Sequence, residues 1–457
     1  MGHEVLGAPT PWAPPAASAV VVYQGATVID GTGGPARTAT SIVTDGATIR
    51  AVVPDAEIAD STATVVDLTG RFVVPGLIDS HQHIATPPDR AAAEAVLRRQ
   101  VHGGVTAIRV MADDLRQVAE LARAALVGEI PGPDIHFAAL MAGPTFFDDP
   151  RTQQVSQGGT PGAVPWMQAI TDETDLPLAV AMARGTGARA IKIYADLTAD
   201  TVAALTAEAH RQGLAAWAHG TVYPASPGEV VDAGVDTVSH SSALAQEGAQ
   251  QPLTTYRDKP PFEYDRFTDG DDPHLQALFE RMRGRGTILD ATAGMWANYF
   301  AAEATDPESQ ARVRANSRMA ARITAHAYRV GVPISAGSDY ENAPEHPIPA
   351  LHDEMVFLAR ECGIPPAQVI RSATLVGAMS MGAQDVMGTL EEGKLANFAV
   401  LSANPLDDMA HLADIEFMVK RGCRYDRSDY EPVAPRPLTA IGTTATSHAP
   451  PKGHDAR

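Results

Sequence analysis

Short apolar runs alternate with helical stretches from about residue 73 to residue 340. Runs such as "VTAIRVM" at 105–111 and "AIKIYA" at 190–195 are rich in β-branched residues and are typical of buried strands. The stretches between them have helical spacing, and many end at a glycine, which is preferred just beyond a helix C-terminus. With "FVVPGLID" at 72–79 as the first, the pattern contains eight such strands. Eight strand–helix units predict an α/β fold, a (β/α)8 TIM barrel over residues 73–384.

The two ends of the chain have a different pattern. Residues 19–72 and 385–430 contain strand-like runs, and the first segment has Asp-Gly and Gly-Gly pairs, which are hairpin signals. We predict that the two segments combine into one small β-sandwich domain built from both termini. Residues 1–18 are a lead segment rich in proline and alanine. Residues 431–457, rich in proline, threonine and alanine, are predicted to be a disordered tail.

Composition narrows the range of partners and locations. The net charge of −20 argues against nucleic acid and anionic membranes as partners, and no apolar run approaches the roughly 18–20 residues that span a bilayer. The N-terminus lacks the basic start and the apolar core of a signal peptide. The two cysteines, Cys362 and Cys423, exclude a disulfide framework and fit a reducing compartment. We therefore expect a cytoplasmic homo-oligomer that binds a small molecule.

Polar side chains stand where the predicted strands end. In a strand, residues i and i+2 point to the same side, so His81 and His83 present two imidazoles to one place. The carboxyl ends of barrel strands meet at one rim, where barrel active sites lie. Imidazole, amine and carboxylate groups at that rim predict a metal site. The candidate ligands are His81 and His83 on strand 1, Lys192 on strand 4, His219 on strand 5, His240 on strand 6 and Asp339 after strand 8.

Lys192 lies inside the fourth predicted strand, between Ile191 and Ile193. An unpaired ammonium buried in a barrel is costly. One interpretation is an ion pair with Asp339 or Asp196. The other is that burial deprotonates the amine, which then captures carbon dioxide and becomes a carbamate. A carbamate is an anionic oxygen ligand that is able to bridge two metal ions.

Five short motifs together resemble the amidohydrolase superfamily, and within it the imidazolonepropionase-like and prolidase-like metal-dependent hydrolases. The motifs are "PGLIDSHQH" at 75–83, "IKIY" at 191–194, "AHG" at 218–220, "SH" at 239–240 and "AGSD" at 336–339. The resemblance extends over about residues 20–425. It departs from the family pattern at Ser239, where relatives often have Glu before the strand-6 histidine.

The resemblance implies two divalent metal ions, with zinc as the first expectation, and carbon dioxide bound as a carbamate on Lys192. One ion is expected to be held by His81, His83, the carboxylated Lys192 and Asp339. The other is expected to be held by Lys192, His219 and His240. A hydroxide is expected to bridge the two ions.

The implied reaction is hydrolysis of a C–N bond in an amide, urea, carbamate or peptide. Asp339 is expected to carry the proton of the hydroxide to the leaving nitrogen. Tyr223, just past strand 5, is a candidate hydrogen-bond donor to the developing oxyanion; simple packing in its loop is the alternative. The nearest candidates for a rim arginine are Arg257 and Arg266 in a long loop. Because no arginine is evident at the rim itself, we expect a neutral and partly aromatic substrate.

Three other functions stay open. A deaminase or a cyclic-amide hydrolase of the same superfamily would use a single metal ion. Deaminases have Glu three residues beyond the strand-5 histidine, where this chain has Val222, and both groups tend to lack a lysine at the position of Lys192. A metal-free scaffold descended from such enzymes is the third possibility, and retention of all six candidate ligands argues against it.

Overall fold

The computed structural model describes residues 20–58, 63–268 and 270–432. The predicted lead segment, residues 1–18, and residues 433–457 of the predicted tail lie outside the described residues. Within the described ranges, no helix has both the length and the apolar character needed to cross a membrane.

The described residues form two β-sheets and a set of surrounding helices. The strands are β1 Val20–Val28, β2 Arg37–Asp45, β3 Thr48–Pro54, β4 Thr64–Asp67, β5 Phe72–Pro75, β6 Leu77–Gln82, β7 Val105–Met111, β8 Asp134–Ala142, β9 Ala163–Val164, β10 Met167–Ala169, β11 Ala190–Ile193, β12 Ala215–His219, β13 Thr237–Ser239, β14 Ile288–Asp290, β15 Ile334–Ser335, β16 Phe398–Leu401, β17 Ile415–Lys420 and β18 Cys423–Asp426. The helices are α1 Arg90–His102, α2 Leu115–Leu126, α3 Pro150–Gln154, α4 Leu176–Gly185, α5 Ala199–Arg211, α6 Pro227–Asp232, α7 Pro273–Arg285, α8 Ala301–Glu303, α9 Pro307–Val330, α10 Leu351–Arg360, α11 Pro366–Arg371 and α12 Gly377–Met379.

The first sheet is assembled from both ends of the chain. Its strand order is β18-β17-β16-β5-β1-β2-β3, with β4 paired to β1. The two ends meet where β16 runs antiparallel to β5, with Val400 opposite Val73. Tyr23 of β1 packs edge-on against Phe398 of β16, with ring centroids 4.9 Å apart. The prediction that both termini build the small β-domain is therefore confirmed.

The second sheet is the barrel. Eight parallel strands follow one another in the order β6-β7-β8-β11-β12-β13-β14-β15, and β10 and β9 form a hairpin beside β8. The first and last strands are joined at the seam by two backbone hydrogen bonds of 2.9 Å: Ser80 N–H donates to the Ala336 carbonyl, and Asp339 N–H donates to the His81 carbonyl. The TIM-barrel prediction is confirmed.

The run "FVVPGLID", predicted as one strand, is divided between the two sheets. β5 pairs with β16 and β1 in the terminal sheet, whereas β6 pairs with β7 in the barrel. The division falls at Gly76, where the chain passes so close to the side chain of Thr106 that an added Cβ would overlap it. Because Thr106 is almost completely buried, it has little room to move away. The prediction of a single strand is wrong, because the two halves of the run pair with strands of different sheets.

The interior of the barrel below the rim holds buried charges. Arg109 of β7 is fully buried, and its guanidinium lies 4.5 Å from the ring centroid of Trp217 on β12. The same guanidinium donates to the Ser80 carbonyl (2.8 Å) and to Oδ2 of Asp290 on β14 (3.1 Å). A buried charge is tolerated only with such partners, so strands 1, 2, 5 and 7 are held together by polar as well as apolar contacts.

The close approach at Gly76 generates a stability prediction. We expect Gly76→Ala to lower the free energy of unfolding by about 1–3 kcal/mol, which is the usual cost of overpacking a filled site. The matched control is Gly284→Ala in α7, where an added Cβ meets open space. Alanine in a helix is favoured over glycine by up to about 1 kcal/mol, so the control should be neutral or stabilised. Urea denaturation of both variants measures the difference, and equal stability of the two would contradict the close approach.

Candidate metal centre

The barrel strands bring the predicted ligands to one rim. Lys192 lies within β11, and His219 is the last residue of β12. His240 follows β13 directly, while Asp339 comes four residues after β15 and is tied back to β6 by its hydrogen bond to the His81 carbonyl. The C-terminal ends of parallel strands therefore supply every one of these groups, as expected for a barrel active site.

The carboxylate of Asp339 stands among three imidazoles. Its Oδ1 lies 3.4 Å from Nε2 of His81 and 3.4 Å from Nε2 of His83, and its Oδ2 lies 3.5 Å from Nδ1 of His240. Donor atoms about 2.1 Å from a tetrahedral zinc ion lie about 3.4 Å from one another. The ligand atoms of His81, His240 and Asp339 all lie within 4.8 Å of one another. The separations and the nitrogen–oxygen donor set thus fit a divalent transition metal.

Buried carboxylates hold the two histidines of the "HQH" motif. Nδ1 of His81 lies 2.7 Å from Oδ2 of Asp290, and Nδ1 of His83 lies 2.8 Å from Oδ1 of Asp113. Both carboxylates are fully buried. A carboxylate on one ring nitrogen fixes the tautomer and the ring orientation and leaves the other nitrogen for a metal. The arrangement directs both Nε2 atoms towards Asp339.

Sequence reasoning missed Asp290 and Asp113. Asp290 ends the seventh strand in "TILDAT", and Asp113 follows the second strand in "VMADD". The rule that found the histidines, polar residues at strand ends, was the signal available for these two. Sequence reasoning also gave no role to Asp79. This carboxylate accepts hydrogen bonds from the backbone N–H (3.0 Å) and the hydroxyl (2.7 Å) of Ser338, and so it anchors the residue before Asp339.

The protonation states suit a cation site. Burial lowers the pKa of the His81, His219 and His240 imidazoles, which favours the neutral form that binds metals. Burial opposes ionisation of Asp339, but the neighbouring histidines, among which His83 stays protonated, outweigh it and hold the pKa of this carboxyl well below its usual range. At His83, as at the other three histidines, burial acts to lower the pKa, but the carboxylates of Asp113 and Asp339 outweigh it. The net result is a pKa raised to about 9. Binding of a cation at His83 therefore releases a proton.

Lys192 is almost completely buried, with 1% of its surface exposed. Its Nζ donates a hydrogen bond to Ser239 Oγ (2.9 Å), and burial lowers its pKa to about 8. The predicted alternative partner Asp196 is engaged elsewhere, because it accepts from the Thr145 hydroxyl (2.6 Å) and from the Tyr256 backbone N–H (2.7 Å). Ser239, the departure from the family pattern, therefore stands at the end of the lysine side chain.

His219 and the aromatic residues beside it form the far side of the site. The His219 ring lies 4.8 Å from the ring of His240 and 5.1 Å from that of Tyr194, between centroids. Nδ1 of His219 donates to the Thr221 carbonyl (2.9 Å). Nε2 takes no part in this hydrogen bond and is the ring nitrogen that a metal would use. Phe146 packs on Tyr194 with ring centroids 4.6 Å apart.

A cavity of about 110 Å³ opens onto these groups. Its walls include the metal-ligand candidates His81, His83, Lys192, His240 and Asp339, the rings of Phe146 and Tyr194, the apolar side chains of Met111, Leu140, Val155 and Met167, and Arg151. A small-molecule pocket of this kind combines apolar walls with a few convergent polar groups.

Four residues of the sequence prediction are not among the described residues that line the cavity: His219, Tyr223, Arg257 and Arg266. Tyr223 is 2% exposed, and its ring centroid lies 6.3 Å from that of Tyr256. Of the two candidate rim arginines, Arg257 pairs with Asp148 (3.3 Å) and Arg266 pairs with Asp272 (3.0 Å).

The expectation that no arginine stands at the rim is wrong. Arg151, in helix α3, lines the cavity. It also forms an ion pair of 2.7 Å with Asp149, the residue that caps α3. The sequence did not reveal this position, because α3 lies in a long loop after the third barrel strand, and loop residues follow no strand-end rule.

The backbone is strained at several residues that follow the barrel strands, two candidate metal ligands among them. His240 and Asp339 both adopt the left-handed region, with φ of 72° and 60°. Ala112, Asp196 and Thr292, each shortly after a barrel strand, do the same with φ of 61°, 56° and 41°. Residues other than glycine avoid this region, and where they occupy it they cluster at functional sites.

Comparison with known proteins agrees with this architecture. The profile of the Amidohydrolase family matches residues 72–425, well over half of the chain. The imidazolonepropionase of Micrococcus luteus is 24% identical over 407 residues, covering 79% of this chain and 87% of that protein.

Two solved structures share the fold. The ochratoxinase of A. niger superposes with a TM-score of 0.70 at 21% identity, covering 90% of this chain and 96% of that one. A Xaa-Pro dipeptidase with methionine bound in its active site superposes with a TM-score of 0.69 at 20% identity, covering 89% of this chain and 100% of that one. With the family profile and the histidine–aspartate site at the barrel rim, it follows that the chain belongs to the amidohydrolase family and is a hydrolase of carbon–nitrogen bonds.

Proposed function

We propose that the protein hydrolyses an amide, urea, carbamate or peptide bond with two divalent metal ions, zinc being the first expectation. The observation that carries this proposal is the group of three histidine nitrogens within 3.5 Å of the Asp339 carboxylate. His81, His83 and Asp339 would hold one ion. His219 and His240 would hold the other, with Lys192 shared as a carbamate. When bound, such ions generate a nucleophile from water at neutral pH and polarise the carbonyl of the substrate.

The surroundings of Lys192 support its proposed role as a carbamate shared by the two ions. It lines the cavity, it is buried, and the only hydrogen bond that its Nζ makes among the described residues goes to a neutral hydroxyl. Carbon dioxide reacts with a neutral amine, and burial favours the neutral form. The product is an anion, which suits a position between two cations.

Asp339 is proposed to move the proton. Its carboxylate is ionised at neutral pH, because the surrounding histidines hold its pKa well below the usual range although burial acts against this. It also lines the cavity. An ionised carboxylate at this place accepts the proton of the attacking water and passes it to the leaving nitrogen.

A phenol is proposed to donate a hydrogen bond to the developing oxyanion. Tyr194 is better placed for this role than Tyr223, because Tyr194 lines the cavity and its ring lies 5.1 Å from that of His219. Burial raises the pKa of Tyr194 well above its ordinary value, so its hydroxyl stays protonated and able to donate.

The substrate is proposed to be a small, partly aromatic molecule, because Phe146 and Tyr194 form one wall of the cavity. The expectation that the substrate is neutral has less support, because the positively charged Arg151 lines the same cavity. A panel of aryl amides, aryl ureas, N-acyl amino acids and dipeptides tests the substrate class. The homo-oligomeric state and the cytoplasmic location stay predictions.

The first prediction concerns the metal ions. We expect two divalent ions per chain in the active wild-type protein, and loss of metal and of activity in Lys192→Ala. Short carboxylic acids should partly restore activity to that variant, because they replace the missing anionic ligand. The control is Lys420→Ala, another buried lysine (3% exposed), which lies at the end of β17 in the terminal sheet and pairs with Asp134 at the start of β8. Elemental analysis and turnover measure both effects.

Each metal result has a distinct meaning. Loss of metal in Lys420→Ala as well would show that the Lys192 effect is one of folding. A single ion in active protein would favour the one-metal alternative, held by His81, His240 and Asp339. Active protein without any transition metal would contradict the proposal.

The second prediction concerns Asp339. Asp339→Asn keeps an oxygen ligand but accepts no proton, so kcat should fall by roughly 10²–10⁴-fold. KM should change little, because the lost interaction belongs to the transition state. Metal content is measured in parallel, since loss of an ion would mimic loss of the base.

Asp196→Asn is the matched control for Asp339→Asn. Asp196 also follows a barrel strand and has a left-handed backbone, with φ of 56° against 60° for Asp339. Its carboxylate contacts Thr145 and the backbone of Tyr256 instead of the histidines. A metal-replete Asp339→Asn enzyme with the kcat of the control would show that another group carries the proton.

The third prediction compares the two phenols. Tyr194→Phe removes a hydroxyl from the cavity wall, and we expect kcat to fall by about 10²-fold, the scale for loss of one oxyanion donor. Tyr223→Phe should lower kcat less, because Tyr223 is not among the described residues that line the cavity. Steady-state kinetics of both variants on one aryl amide decides between them. A larger fall in Tyr223→Phe would return the role to Tyr223.

A further inference from the structure

One carboxylate oxygen on β14 joins three other strands of the barrel. Oδ2 of Asp290 accepts from Nδ1 of His81 (2.7 Å), from Oγ of Ser239 (2.8 Å) and from Nη2 of Arg109 (3.1 Å). Asp290, Ser239 and Arg109 are completely buried. Water therefore does not compete for these contacts, and each of the three donors depends on the same oxygen.

The chain of contacts continues to the lysine. Ser239 Oγ donates to Asp290 and accepts from Nζ of Lys192 at 2.9 Å. A serine hydroxyl has one hydrogen to donate and two lone pairs to accept. The hydroxyl is thus oriented by Asp290, and its lone pair faces Lys192. His81 and Lys192, which stand on strands 1 and 4, are held through the same carboxylate.

We propose that Asp290 is a positioning residue that couples the two metal positions of the site. The inference rests on the proposed two-metal function, in which His81 serves one ion and Lys192 is shared by both. Asp290 orients His81 directly and orients Lys192 through Ser239. Filling of one position fixes the carboxylate network and so prepares the ligands of the other, without contact between Asp290 and either ion.

The geometry assigns different consequences to two substitutions. Asp290→Asn removes the charge on which His81, Ser239 and Arg109 converge, so it disturbs both metal positions. Ser239→Ala removes only the link to Lys192 and leaves the contacts of Asp290 with His81 and Arg109 in place. The matched control is Ser335→Ala on β15. Ser335 is a completely buried serine whose hydroxyl has no hydrogen-bond partner among the described residues.

The experiment is a zinc titration of the metal-free full-length proteins, with bound zinc counted at each buffered free-zinc concentration. In the wild type we expect two ions to load in one cooperative step. In Asp290→Asn the free zinc needed for half-saturation should rise about 10–100-fold for both ions, the scale for loss of a group that orients a ligand. In Ser239→Ala the shared Lys192 loses its link to Asp290 while His81 keeps its own. The ion held by His219, His240 and Lys192 should therefore weaken more than the other, and loading should separate into two steps. Ser335→Ala should load like the wild type.

The second readout is the melting temperature of each metal-free protein, which reports the fold without metal. Asp290→Asn leaves the Arg109 charge unpaired and should melt lower, whereas Ser239→Ala should melt close to Ser335→Ala. If Asp290→Asn does not fold, Ser239→Ala against Ser335→Ala decides alone. Loading of Ser239→Ala in one step with wild-type affinity overturns the coupling while leaving the two-metal function intact. A wild type that binds no zinc or a single ion overturns the two-metal function, and the coupling with it.

Discussion

The barrel and its site depend on the same backbone hydrogen bond. Asp339 N–H donates to the His81 carbonyl at 2.9 Å, and this contact joins the last strand of the barrel to the first. It also sets the Asp339 carboxylate beside the His81 imidazole, at 3.4 Å. Closure of the barrel therefore brings together two groups that lie 258 positions apart in the sequence. A chain that failed to close would have neither a complete sheet nor a complete metal site.

The metal site at the rim requires charged side chains in the barrel interior below it, and these lower the stability of the fold unless they are paired. Lys192, Asp290 and Arg109 are removed from water, and an unpaired charge in such surroundings is strongly destabilising. The structure meets this cost with hydrogen bonds between strands and with the ring of Trp217 under the guanidinium of Arg109. An ordinary apolar barrel core would be simpler to stabilise. The charges are retained where they orient the ligands.

The sequence predicted those features that follow from periodicity and topology. Alternating strands and helices identified the barrel, and the strand-end rule brought His81, His219, His240 and Asp339 to one rim, because parallel strands of a barrel all end on the same side. The resemblance to the amidohydrolases, now confirmed by the family profile, rested on the same motifs.

Contacts between distant parts of the chain were beyond the reach of those rules. One apolar run is divided at Gly76 because its first part pairs with β16 and its second part with β7, and the run itself does not reveal these partners. The place of Arg151 depends on the path of a long loop, which has no repeating pattern. The role of Asp290 depends on which histidine its carboxylate meets, and a strand-end position alone does not give the partner.

The left-handed residues at the rim limit how this enzyme is able to gain stability. Each such residue costs roughly 1–2 kcal/mol relative to glycine, yet glycine at His240 or Asp339 would delete a ligand. Glycine at Thr292 would remove the hydroxyl that lies 2.9 Å from Nδ1 of His240. Ala112 lines the cavity with only a methyl group, so it alone of these four is free to become glycine. Evolution towards higher temperature would therefore proceed through the helices and the terminal sheet, and the rim would keep its strained backbone.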